Sequence, residues 1–259
     1  TSEELYRGMM SLDRETMGVL TRILSIPAKM LRAGAVLAPE FSLRNPIRDQ
    51  FMAFVQSKYG YTPGVDFVRG LFESIKRGDL YRDFLISGAE HSMMVSMDRA
   101  YLQKNIRQIM EGPIPGLVRN PLELLRAVSA LGERATRMGE FRLARGAGPV
   151  TKEALVRSGV AAREVTLDFA RGGAQTRAIN MIVAFWNARL QGLDKIARTF
   201  HERPVEATIK SALAITAPSV LLYMANRKDP RWQQLPQIQK DLMWIVLTDE
   251  HIYRIPKPF

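Results

Sequence analysis

Apolar positions recur every three or four residues along almost the whole 259-residue chain, and strict alternation is nearly absent. That spacing predicts helices throughout and an all-α fold, an irregular multi-helix bundle of roughly eight to ten helices. Ile47, Phe51, Phe54, Val55 and Tyr59 share one helical face behind Asn45-Pro46. Those two residues read as a helix start: Asn45 accepts from first-turn amides, and Pro46 takes the first helical position, where no donor is lost. Gly60 then reads as a stop and Thr62-Pro63 as the next start. The same Arg-Asn-Pro opening returns at Arg119, with Leu122, Leu125, Val128 and Leu131 on one face. No repeat with a period of about 20 to 50 residues extends beyond that pair.

Further along, Asp79 is expected to cap a long helix running through Tyr81, Phe84, Met93, Met97 and Tyr101 toward Met110, closed by the Pro/Gly cluster Gly112 to Gly116. Arg145 to Pro149 is a second break, after which Thr151 caps a helix carrying Ala154, Leu155, Val160 and Val165, interrupted at Gly172-Gly173. Another helix carries Ile179, Ile182, Val183, Trp186 and Leu190, and Pro204 opens the next. The last helix is expected over about Leu235 to Thr248, burying Leu242, Trp244, Ile245 and Val246, with Ile255 to Phe259 extended by its prolines. The whole chain, 1–259, reads as one helical domain with candidate sub-boundaries at 112–116 and 146–149.

The most apolar window, Ser211 to Ala225, is 15 residues long and contains Pro218. A bilayer span needs about 20 apolar residues, so the window reads as a buried core helix kinked at the proline, with membrane contact the minority reading. The chain opens Thr1-Ser2-Glu3-Glu4 and closes on Ile255-Pro256-Lys257-Pro258-Phe259, which reads as a segment of a longer protein. Its first residues lack the order of a secretory signal.

Composition then narrows the chemistry. There is no cysteine, which removes disulfides, thiolate metal sites and a cysteine nucleophile. The net charge is +11, and arginine outnumbers lysine 27 to 10. Guanidinium groups suit phosphate and carboxylate partners. Between Arg119 and Arg177 there are 11 basic and 6 acidic residues. Arg134, Arg142, Arg145, Arg157, Arg163 and Arg171 are therefore candidates for contact with DNA phosphates, by backbone charge and without aromatic stacking. Glu133 and Arg137 stand at i and i+4, so internal ion pairs account for part of this density.

No catalytic constellation emerges. His91, His201 and His251 lie far apart, and the His-Glu step at His201 lacks a second histidine one turn later. Gly146 to Lys152, "GAGPVTK", lacks the ending of a phosphate loop and follows a helix. Phe72-Glu73-Ser74 resembles the Glu-Ser of lytic transglycosylases, but no matching glycine and tyrosine motifs follow, and Glu73 reads as a solvated charge. The reading is a non-enzymatic segment with no cofactor and no metal.

Taken in order, "RNPIRDQFMAFVQSKYGYTPG", "YRDFLISGAE", "ERATRMGEFRLA", "VTLDFARGG", "FWNARLQGLDKI" and "YRIPKPF" resemble the helical large polyvalent protein-associated domain of tailed phages, thirty-eighth type, over about residues 30 to 259. The resemblance implies a segment of a very long virion protein, packaged in the particle and delivered into the host with the genome. It implies other virion proteins (portal or tail components) or copies of itself as partners, the DNA backbone as a further candidate, and location in the virion interior, then in the host envelope or cytoplasm. The alternative is a nucleic-acid-binding or anti-restriction module acting in the host cytoplasm after injection. The family pattern falls on Asn45, Pro46, Arg48, Asp49, Thr136, Arg137, Glu140, Phe141, Asp168, Phe169, Gly172, Gly173, Asn187 and Gly192. These are expected to serve as caps, close helix contacts and ion pairs of Arg48 or Arg137 with Asp49, Glu140 or Asp168, not as catalytic groups.

Overall fold

In the computed structural model, residues 23–28, 30–31, 39–90, 121–166, 179, 182–183 and 185–257 are described. Of the interpretable residues 73% are helical, in ten helices with one small two-stranded sheet. In chain order these are α1 (Pro39–Gln56), α2 (Val65–Lys76), α3 (Asp79–Ile86), α4 (Pro121–Arg145), α5 (Lys152–Glu164), α6 (Trp186–Glu202), α7 (Pro204–Ser211), α8 (Ala217–Asn226), α9 (Pro230–Gln233), α10 (Gln237–Leu242), β1 (Met243–Leu247) and β2 (Ile252–Pro256). A single π-helical turn, Ala212–Thr216, joins α7 to α8.

The 25-residue α4 is the spine, with α1, α2 and α5 packed on it. Its periodic apolar positions Ala135, Met138 and Phe141 are fully buried. Phe141 meets Phe84 of α3 edge-on at 5.4 Å, and Tyr81, Ala89 and Ala162 complete that cluster. The closest helix crossing is α2 on α4. A Cβ at Gly139 would lie 2.5 Å from the Asp66 carbonyl oxygen, and one at Gly70 would lie 2.6 Å from the Gly139 amide nitrogen. Only glycine lets two backbones approach so closely.

Several expected boundaries move. Pro46 does not open a helix: it lies inside α1, seven residues after Pro39. Its ring packs on Gly132 of α4, where a Cβ would come within 2.9 Å of Pro46 Cβ, so tertiary packing compensates for the lost backbone bond. Asn45 is accordingly not a cap. The helix after Thr62-Pro63 starts at Val65, and Asp66 Oδ2 reaches back to accept from the Thr62 amide at 2.8 Å. Asp79 is the first residue of α3, behind Gly78, and α3 stops at Ile86; the expected continuation to Met110 and the linker at 112–116 lie outside the described residues. Thr151 does cap α5, accepting from the Ala154 amide at 3.1 Å. The break at 146–149 is a connection between α4 and α5, which pack directly on each other.

The expected last helix is corrected most. Helix α10 ends at Leu242, and Met243–Leu247 is a strand paired antiparallel with β2, Met243 opposite Pro256 and Leu247 opposite Ile252. The run Met-Trp-Ile-Val-Leu is apolar on consecutive positions and followed by Thr248-Asp249-Glu250, which favours a short strand and turn over a helix continued. Trp244 and Ile245 are buried as expected, while Leu242 is exposed. Trp244 meets Phe51 of α1 edge-on at 5.3 Å, which fastens the sheet to the bundle.

Candidate docking surface

Beneath the outer helices lies a layer of buried polar and charged side chains. Arg137, 1% exposed, is paired with Glu133 at 2.7 Å and donates through Nε to Thr166 Oγ1 at 2.7 Å and through a terminal nitrogen to the Ala89 carbonyl at 3.2 Å. Glu133 is thus a carboxylate partner of Arg137. Glu140, equally buried, meets Ser57, whose Oγ stands 2.8 and 2.9 Å from its two oxygens. Burial pushes the Glu140 carboxyl up to about 7, against the lowering effect of the Ser57 bond, Lys210 and Arg203. Asp49 is likewise pushed up to about 7, by burial first and by Glu133; Arg48, Arg137 and Lys195 oppose the shift. Arg48 and Arg137 thus act on Asp49 through charge. Thr136 and Phe141 are fully buried beside them and Asn187 is buried on α6.

Two helix ends are closed by cations from the C-terminal half of the chain. Helix α1 has no basic residue in its last turn. Arg203 supplies the charge, donating to the Gln56 and Ser57 carbonyls at 2.6 and 2.8 Å, and Lys210 donates to the Ser57 carbonyl at 3.1 Å. Lys195 does the same past the end of α5, donating to the Glu164 carbonyl at 2.6 Å and to that of Thr166. Cations are favourable there because unpaired carbonyls and the helix dipole both present negative charge.

Among the described candidate phosphate contacts, at least three hold carboxylates within the fold. Arg134 holds Glu90 with Nε at 2.7 Å, Arg142 holds Asp66 at 2.7 Å and Arg145 holds Asp83 at 3.0 Å. Arg163 is half-buried beside Gly88, and Arg157 is exposed on α5. Arg171 and Asp168, with Phe169, Gly172 and Gly173, lie outside the described residues. Gly192 makes no close helix contact, since a Cβ there would meet nothing within 4 Å. His201 and His251 are exposed, and no cluster of metal-ligating side chains occurs among the described residues.

The surface that sequence reasoning missed is apolar. Helices α7 and α8 with the π-turn form one 23-residue rod, Pro204–Asn226, long and apolar enough to cross a membrane, yet only 11% of its most apolar window is buried. The expected core helix is therefore a surface helix. Ile209, Leu213, Leu221 and Met224 are 54%, 60%, 66% and 60% exposed. On the neighbouring α6, Leu190, Leu193, Ile196 and Phe200 recur every three or four residues and are also exposed. Meanwhile the inner face of the rod is fastened: Trp244 Nε1 donates to Ser219 Oγ at 2.8 Å, and Asn226 donates to the Ile245 carbonyl. Two adjacent apolar stripes held outward are more than scattered surface hydrophobics, and such patches mark interaction surfaces.

No protein family, curated protein or solved structure matches the chain. The reading of the surface therefore rests on its own geometry.

Proposed function

We propose that this chain is a non-catalytic helical docking segment of a large phage protein, packaged in the virion and ejected with the genome. The observation that carries the docking role is the outward apolar face of α6, α7 and α8. The phage setting comes from the order of sequence motifs given above. The occupant of the face is an apolar helix of a neighbouring virion subunit, a portal or tail component. A rod about 34 Å long presents continuous ridges and grooves of the kind a second helix fills. Bilayer insertion fits less well, because it would strip Lys210, Ser219 and Asn226 from their partners at Ser57, Trp244 and Ile245.

The test is a reconstruction of the intact particle without imposed symmetry, with mass spectrometry of purified particles. The expected result is this helical segment on the portal and tail axis, with α6 to α8 against another subunit. Peptides of the chain found in infected-cell extract and missing from purified particles would overturn the proposal.

A further inference from the structure

We infer that the outer face of α2 is a separate docking surface, and that its occupant is an amphipathic helix of another protein whose apolar seam is flanked by carboxylates. The inference stands independently of the face formed by α6, α7 and α8.

Helix α2 turns its apolar stripe away from the core. Val65, Val68, Phe72 and Ile75 are 48–66% exposed, while Asp66, Gly70 and Ser74 on the opposite side are buried. A surface helix ordinarily does the reverse. The crossing with α4 fixes this orientation. Gly70 is the position that admits the Gly139 backbone, and turning a larger α2 residue inward would drive its Cβ into α4. Burial of the polar side is satisfied locally: Asp66 accepts from Arg142 at 2.7 Å and from the Thr62 amide at 2.8 Å, and Ser74 Oγ donates to the Gly70 carbonyl at 2.7 Å. The four apolar side chains are therefore held outward by the fold, and a contiguous patch of that kind marks an interaction surface.

Spacing and charge choose the occupant. The stripe advances by three, four and three residues, the spacing of the a and d positions of a coiled coil, so the shape that fills it is another α-helix. Arg69 and Lys76 then both fall at e positions beside the seam. Lys76 is exposed and has no ion-pair partner among the described residues, and Arg69 stands 3.7 Å from an Asp66 that Arg142 already holds. With Arg77 and Arg142 included, four cations stand against the two carboxylates Asp66 and Glu73. The next acidic groups, Asp79 and Asp83, each have an arginine of their own, Arg82 and Arg145. A helix with Glu or Asp beside its seam meets this cationic flank. A second copy does not: an antiparallel α2 pair would set Arg69 and Lys76 against their own kind, and a parallel pair would set them against Leu71. A helix about 18 Å long offers less than the about 800 Å² per partner of a standard interface, so the contact is weak on its own.

Fluorescence anisotropy at pH 7 and low salt tests this with the full chain and a labelled synthetic peptide of three heptads, leucine along its seam and glutamate at its flanks. Analogues carry lysine at the flanks or serine along the seam. The expected result is saturable binding of the glutamate peptide with a Kd of about 10–100 μM, and at least tenfold weaker binding of either analogue. Phe72→Asp is expected to abolish binding without changing the melting temperature, Arg69→Glu with Lys76→Glu to reverse the preference toward the lysine analogue, and Leu221→Glu on the other face to leave this affinity as it is. No saturable binding of the glutamate peptide would overturn the inference, as would equal affinity for either analogue or binding that survives Phe72→Asp. A chain that sediments as a dimer, dispersed by Phe72→Asp, would give the face to a second copy and overturn it as well.

Discussion

The Ser57 hydroxyl stands 2.8 and 2.9 Å from the two carboxyl oxygens of Glu140, joining the end of α1 to the C-terminal part of α4, with both residues 1% exposed. The burial of that carboxyl, which outweighs the lowering effect of the Ser57 bond, makes the fold respond to pH. Burial raises Glu140 to about 7 from 4.5, and Asp49 to about 7 from 3.8. The folded chain then keeps protons that the unfolded chain has already released. The contribution of these two groups is full below about pH 4, and is lost as pH rises toward and through 7. The Glu140 share is on the order of 3 kcal/mol at full ionisation. Denaturant midpoints measured from pH 4 to 8 are expected to fall, and Glu140→Gln, which keeps an acceptor for Ser57 and cannot ionise, is expected to flatten the fall. An unchanged slope in that variant would remove Glu140 as the cause.

Gly139 and Gly192 are expected to respond to the same change with opposite sign. At Gly139 a methyl group would press on the Asp66 carbonyl, so Gly139→Ala should cost about 1–3 kcal/mol or more. At Gly192 there is open space in a helix interior, so Gly192→Ala should stabilise by about 0.5–1 kcal/mol. Thermal melts of the two variants side by side check both directions.

Lys195 is 2% exposed and its ammonium serves the carbonyls at the end of α5. Lys195→Met fills similar volume, leaves those acceptors without their charged donor and removes a cation that opposes the rise at Asp49. Urea unfolding is expected to show a loss of about 2–4 kcal/mol.

The apolar stripe makes the reverse prediction. Leu213→Glu and Leu221→Glu change exposed positions, so each should alter stability by no more than about 0.5 kcal/mol. Both should nevertheless block incorporation into particles, measured by mass spectrometry of purified virions. A variant that unfolds would show these leucines to be core, and one that incorporates normally would remove the stripe from the docking face.

Helix content was legible because period 3.6 survives in nearly every segment; of the expected side-chain caps Thr151 fell where expected, while Asn45 and Asp79 lie inside their helices. Pro46 misled because nothing local distinguishes a first-turn proline from one inside a helix; the deciding partner, Gly132, is 86 positions away in sequence. Arginine density in α4 was legible, but its use was not, since Asp66 and Asp83 come from other helices and Glu90 from the turn after α3. The strand at Met243–Leu247 carried a signal, an apolar run closed by a polar turn, that a helical reading of its surroundings outweighed. Exposure of Leu213 or Leu221 could not be read at all, because apolar composition alone does not say whether the covering surface belongs to the same chain.

The π-turn at Ala212–Thr216 sits just before Pro218, with the Ala217 amide bonded back to the Ala212 carbonyl. One additional residue within that turn offsets everything after it by about 100° around the axis. The rod is therefore two helices in different phase, the first aimed so that Lys210 meets Ser57, the second so that Ser219 and Asn226 meet the sheet. Deleting a single residue there would restore a regular α-helix and mistune it, swinging Leu221 inward and turning the sheet's anchoring groups toward solvent.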